Sequence, residues 1–145
     1  DKLSLNEVQK LTNLSENYNV TELVDNCLAK NKNKISKIMN ENNFSNDETI
    51  MIIRTFLSKT KRLYLIKKEL EKGVNLESVI MNFRPPIFWK DKELVKQQIK
   101  LWSYENIQNL ITEISDTEFN IKKNIANSLN ILQDFIYTQS EIASN

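Results

Sequence analysis

The sequence predicts an all-α fold, a bundle of seven or eight helices, and three observations carry that expectation. One glycine and two adjacent prolines in 145 residues leave few places where a helix must stop. Apolar residues recur at three- and four-residue spacings, and strict alternation is nowhere sustained. Capping signals stand ahead of several of these apolar stretches. With 40% hydrophobic and 27% charged residues, the chain is long enough to bury one core.

Taken in order, Ser4-x-x-Glu7 is a capping box ahead of Val8 and Leu11. The polar run Leu14–Asn19 is the one place a linker fits, so residues 1–13 read as part of whatever precedes. A chain that begins at Asp1 reads as a piece of something longer. Asn19 or Thr21 opens a second helix with Leu23, Val24, Cys27 and Leu28 on its apolar face. A short third helix holds Ile35, Ile38 and Met39. Ser45-x-x-Glu48 is a second capping box and starts the longest element, apolar from Ile50 to Leu70 and stopped by Gly73. About 27 residues at ~1.5 Å each predict a rod of roughly 40 Å. Its wide apolar stripe predicts neighbours on two sides.

A fifth helix carries Leu76, Val79, Ile80 and Phe83. Arg84-Pro85-Pro86 cannot continue it, because Pro86 has no N–H and Pro85 drives Arg84 out of helical geometry. Helix resumes near Asp91 with Leu94, Val95, Ile99 and Trp102. Ser103 caps the next, which holds Ile107, Leu110, Ile111 and Ile114. A last helix carries Leu129, Leu132, Phe135 and Ile136, and the polar tail after Thr138 is expected to fray.

The composition excludes much chemistry. There is no histidine and one cysteine, so zinc and haem sites of the usual kinds have no ligands. Ser-His-Asp and Cys-His nucleophiles are impossible for the same reason. A single glycine excludes the glycine-rich phosphate loops, so no cofactor is implied. One cysteine forms no internal disulfide. The net charge of +1 points to no polyanionic partner, and no apolar run is long enough to span a membrane. The skew to 17 Lys, 20 Asn and 17 Ile follows AT-rich codons. With Asn so abundant, the two glycosylation-type matches at Asn13 and Asn19 carry little weight.

Among candidate sites, Glu113, Asp116 and Glu118 read as a solvated acidic face rather than a catalytic set. Cys27 reads as a buried structural thiol. Lys30, Lys32, Lys34 and Lys37 form one basic strip, read as a solvated loop or helix face, with phosphate contact as the alternative. Lys59, Lys61, Arg62, Lys67 and Lys68 form a second, helical and with Tyr64 inside it. That strip suits the negative end of a helix dipole, with nucleic-acid contact as the alternative. The Arg84–Lys92 segment is the least generic. It reads as a rigid corner whose aromatics plug the bundle, or as a preformed partner patch at Arg84, Pro85, Pro86, Phe88, Trp89 and Lys90.

Here the residues become familiar. Arg84-Pro85-Pro86-Ile87-Phe88-Trp89-Lys90 resembles the stretch found in bacterial DNA polymerase III delta subunits, the alphaproteobacterial kind in particular. The preceding Arg54-Thr55-Phe56-Leu57 and Lys61-Arg62-Leu63 are similar too, as are Trp102-Ser103 and Leu129-Asn130-Ile131-Leu132. Leu5–Leu11 resembles the last helix of that family's second domain, and Val20–Asp25 the start of its third. The resemblance implies that residues 1–16 are the trailing helix of a preceding domain. It implies that residues 17–145 are the C-terminal collar of a clamp-loader subunit active in DNA replication. Such a collar packs against ATPase gamma/tau and delta-prime type subunits and closes a five-membered ring. The family grips the sliding clamp through an N-terminal domain that lies outside these residues. The resemblance further implies a cytoplasmic, non-enzymatic chain whose contact with DNA is indirect. Polymerase activity belongs to another subunit.

Overall fold

The structure, a computed structural model, describes the backbone of residues 4–141 and the side chains of residues 4–7 and 18–141. Among the described residues seven α-helices form: α1 (Leu5–Leu28), α2 (Lys32–Glu41), α3 (Thr49–Glu71), α4 (Leu76–Asn82), α5 (Lys92–Leu101), α6 (Tyr104–Lys123) and α7 (Ser128–Glu141). Single 3-10 turns at Asn46–Glu48, Trp89–Asp91 and Ile125–Asn127 lead into α3, α5 and α7. The described residues contain no strand, and the all-α bundle expected from the sequence is the fold observed.

α3 is the centre of the bundle. It packs along α6 and is flanked by α1, α4, α5 and α7, as its wide apolar stripe requires. Ile52, Ile53, Phe56, Leu63 and Ile66 are fully buried along it. Each such side chain contributes about 1.5–3 kcal/mol of hydrophobic stabilisation. The Phe56 ring meets Phe135 of α7 edge-on, with centroids 5.2 Å apart and planes at 75°. Thr60, buried among these residues, satisfies its hydroxyl by donating to the Phe56 carbonyl at 2.7 Å. At its far end the Tyr64 and Tyr104 hydroxyls are 2.9 Å apart and tie α3 to α6.

The capping signals at Ser4, Ser45 and Ser103 form as read, whereas Asn19 and Thr21 open no helix because both lie inside α1. The Glu7 N–H donates to Ser4 Oγ and the Ser4 N–H to Glu7 Oε2, both at 3.1 Å. The Ser45 N–H donates to Glu48 Oε1 at 3.1 Å, and the Asn106 N–H to Ser103 Oγ at 3.1 Å. Gly73 stands just past α3 at φ 91°, a conformation that suits the residue without a Cβ. The α3 helix itself is 23 residues long, roughly 35 Å, because a 3-10 turn supplies its entry.

Three expectations are corrected. The helix does not break at Leu14–Asn19; α1 runs through it for 24 residues. Serine and asparagine are only mildly unfavourable inside a helix, and neither glycine nor proline interrupts this run. The side chains of Val8 and Leu11 lie outside the described residues. The second correction is at the C-terminal end, where α7 continues to Glu141 with Gln139 and Ser140 buried. Gln139 Nε2 donates to Glu113 Oε2 of α6, which holds this polar turn on the bundle. Residues 142–145 lie outside the described residues. The third concerns the aromatics of the Arg84–Lys92 corner. Only Ile87 enters the core; Phe88 and Trp89 are 57% and 68% exposed.

The end of α1 is made by tertiary contacts. Lys30 takes the left-handed conformation at φ 57°. The Lys30 N–H then donates to the Cys27 carbonyl and the Asn31 N–H to the Asn26 carbonyl, each at 3.0 Å. The Ala29 N–H donates to the Asp25 carbonyl at 3.0 Å, and α5 and the residue after it supply further donors to this turn. Trp102 Nε1 donates to the Leu28 carbonyl at 2.7 Å, Gln98 Nε2 to Asp25 at 2.8 Å and Gln97 Nε2 to Ala29 at 3.2 Å. The Lys30 ammonium lies 4.6 Å from the Trp102 ring centroid. Trp102→Phe leaves the buried Leu28 carbonyl without this donor and opens space in the core. We expect a loss of about 2–4 kcal/mol in urea unfolding.

Candidate interaction groove

Two of the stretches singled out in the sequence meet in space. The basic second half of α3 and the Arg84–Asp91 segment line one open groove. Lys59, Lys61 and Arg62 stand on one wall, and Arg84, Pro85 and Pro86 on the other. Pro85 and Pro86 supply no N–H and hold φ near one value, so this wall is stiff. The Arg84–Pro85 peptide bond is cis. Arg84 Nη1 donates to the Phe83 and Met81 carbonyls at 2.9 and 3.5 Å, placing a fixed positive charge at the negative end of α4.

Phe88 and Asp91 also line a second groove, between α1 and α5, which includes Tyr18, Glu22 and Leu94. The segment is therefore a ridge between two grooves. Phe88 and Trp89 form an exposed aromatic pair on it, with centroids 6.0 Å apart, and Lys90 Nζ lies 5.5 Å from the Trp89 ring. Ile87 anchors the ridge from below.

Beneath the ridge lies a residue that the sequence reading passed over. Asp25 of α1 is 3% exposed. Its carboxylate sits 3.5 Å from Lys59 Nζ and 3.6 Å from Arg62 Nη2. Burial pushes the Asp25 carboxyl above the usual carboxylate range; Lys59 and Arg62 oppose that, and Asp91 adds to it. Two of the basic residues proposed for nucleic-acid contact thus already serve as counterions of a buried carboxylate. A lone Asp on an apolar helix face was the available signal, since such a residue needs a cationic partner.

The other sequence candidates are scattered. Lys61 is exposed on the groove wall, and Lys68 lines the neighbouring hollow against α4 with Leu65 and Val74. Lys67 is half-buried, and burial lowers its pKa, with Glu71 opposing. Lys32, Lys34 and Lys37 are exposed on and beside α2. Glu113 and Asp116 are exposed, and Glu118 pairs with Lys122 at 2.9 Å. Cys27 is buried, its thiol 3.5 Å from the Ile136 carbonyl, and burial pushes its pKa up. Among the described residues no group of three or more His, Cys, Asp or Glu is placed to hold a metal, and no helix is long and apolar enough to cross a membrane.

Fold and groove together define an all-helical domain with a stiff ridge that is cationic and aromatic at its surface. Comparison with known proteins gives this a more particular setting. The chain is 28% identical over 141 residues to a probable DNA polymerase III subunit delta of Aquifex aeolicus. The match covers 96% of this chain and 40% of that protein, so the chain spans well under half the length of its curated relative. No protein-family profile matches the chain, and no solved structure matches it. The resemblance to delta subunits read from Arg84–Lys90 is thus shown along nearly the whole chain.

Three outcomes follow for the buried groups. Asp25→Ala strands two largely buried cations, and we expect a loss of about 3 kcal/mol in chemical unfolding. A carboxyl raised in the folded state favours folding when protonated. That contribution is full below the ordinary carboxylate range and is lost as pH rises through the folded value. The stability advantage of the wild type over Asp25→Asn should therefore grow as pH falls from neutral, which paired thermal melts would register. Cys27 should resist a thiol reagent in the native chain and react once in denaturant.

Proposed function

We propose that this chain is the C-terminal helical collar domain of a DNA polymerase III delta-type subunit, an assembly domain of the clamp loader used in DNA replication. The observation that carries the reading is the match to a protein named as a delta subunit along 96% of the chain. The all-helical bundle supports it, because a ring-closing domain needs rigid faces for its neighbours and no catalytic centre. On this reading residues 17–145 are the collar and residues 1–16 the trailing helix of a preceding domain. α1 is then shared between the two, a stiff rod whose described side chains are exposed at 4–7 and largely buried from Val20 to Ala29. ATPase subunits of the gamma/tau and delta-prime type are the partners. Arg84, Pro85, Pro86, Phe88, Trp89 and Lys90 are the proposed contact. The domain itself performs no reaction and works in the cytoplasm, and the clamp is reached through other parts of the subunit.

A nucleic-acid-binding role through Lys59, Lys61, Arg62, Lys67 and Lys68 is the alternative. The engagement of Lys59 and Arg62 with Asp25 argues against it. The test is gel filtration with light scattering, on the chain alone and mixed with the ATPase subunit of the same organism's loader. We expect a mixed complex that ATP does not alter and that Trp89→Ala weakens. Absence of a complex, together with DNA affinity that falls steeply with salt, would overturn the reading in favour of the alternative.

A further inference from the structure

We propose that the groove between α3 and the Arg84–Asp91 ridge takes an acidic peptide segment of a partner protein, anchored by apolar side chains. The proposal deepens the assembly reading by naming the chemistry of a partner segment at the same ridge. Its support is the groove's own composition.

The first support is charge. Arg54, Lys61 and Arg84 line the groove and belong to none of the ion pairs among the described residues. Lys59 and Arg62 are already engaged by Asp25 beneath them, and Asp91 lines the same groove. Positive charge with no acidic ion-pair partner among the described residues therefore stays at the surface on these three side chains. Arg84 is held by two backbone carbonyls before any partner arrives. Carboxylates form the strongest charge-assisted hydrogen bonds with such guanidinium groups.

The second support is the apolar lining. Leu57, Leu65, Phe83 and Phe88 line the same groove beside the two prolines. Leu65 and Phe88 are 49% and 57% exposed, which leaves area for an incoming side chain to cover. The wall is stiff, so little ordering entropy is lost on binding. An amphipathic segment with apolar anchors and flanking carboxylates satisfies both sets of residues together.

A nucleic-acid strand fits less well. Single strands need cations in a row with open aromatic faces for stacking. Here Lys90 stands over the Trp89 ring, and Phe88 is the only largely exposed aromatic that lines the groove among the described residues.

The test is selection of a random phage-displayed peptide library on the immobilised 145-residue chain, followed by calorimetry with the selected peptides. The expected pool is rich in Asp and Glu alongside Leu, Phe or Trp. The double substitution Arg54→Glu, Lys61→Glu should weaken binding about tenfold or more. Both residues are exposed and outside the ion pairs among the described residues, so the fold is expected to be retained. Phe88→Ser should weaken it several-fold without changing charge. A pool with no acidic enrichment overturns the proposal, as does binding that both variants leave unchanged. An oligodeoxythymidylate that binds more tightly and displaces the peptides does so in favour of nucleic acid. No loader subunit enters this experiment, so its failure is distinct from failure of the assembly reading.

Discussion

The last turn of α1 is the joint on which the bundle depends. A helix leaves its final carbonyls without intrahelical donors, and buried carbonyls need partners. Here the partners come from far along the chain. Trp102, Gln98 and Gln97 close the turn from α5 and its end, and Lys30 and Asn31 close it from the chain that follows. Within the same turn, Asp25 reaches α3 through Lys59 and Arg62. One turn of helix thus fixes the positions of α1, α3 and α5. The ridge that precedes α5 inherits its place from that arrangement.

The ion pairs at Asp25 act more through geometry than through energy. At 3.5 and 3.6 Å they are longer than good charge-assisted hydrogen bonds. Asp25 Oδ1 and Arg62 Nε and Nη2 have no hydrogen-bond partner. A buried carboxylate offset in this way adds little net stability, since desolvation consumes much of the attraction. It does orient two long side chains along the groove wall and removes them from competition for a ligand. The basic stretch of α3 is accordingly divided, with part of it internal and part of it available.

Most of the helices were legible because their signals are local. Capping boxes at Ser4 and Ser45, the Ser103 cap, Gly73 and the proline pair each act within a few residues, and each appears where the sequence places it. Residues such as Ile52, Phe56 and Leu63 fall on one helical face and are buried together. What was illegible is nonlocal or unusual. The end of α1 has no glycine, because a lysine fills the left-handed position, so the helix boundary left no familiar mark. The polar run at Leu14–Asn19 contains no breaker, and composition alone suggested a linker that the backbone does not form. Gln139 looks like part of a polar tail until Glu113 of α6 is brought beside it. In the groove, the ridge and the basic helix were each visible as stretches, but their meeting, and the claim of Asp25 on two of the lysine-strip residues, depend on the packing of α1 against α3.

The two tryptophans occupy opposite environments. Trp102 is 2% exposed with its indole N–H bonded at the joint, and Trp89 is 68% exposed on the ridge. The native chain therefore carries two built-in optical probes with separable duties. Light from Trp102 follows the integrity of the helix junction. Light from Trp89 follows the polarity of whatever covers the outer surface. Soluble quenchers reach one indole and not the other, so folding and docking can be watched in the same sample without attaching a dye.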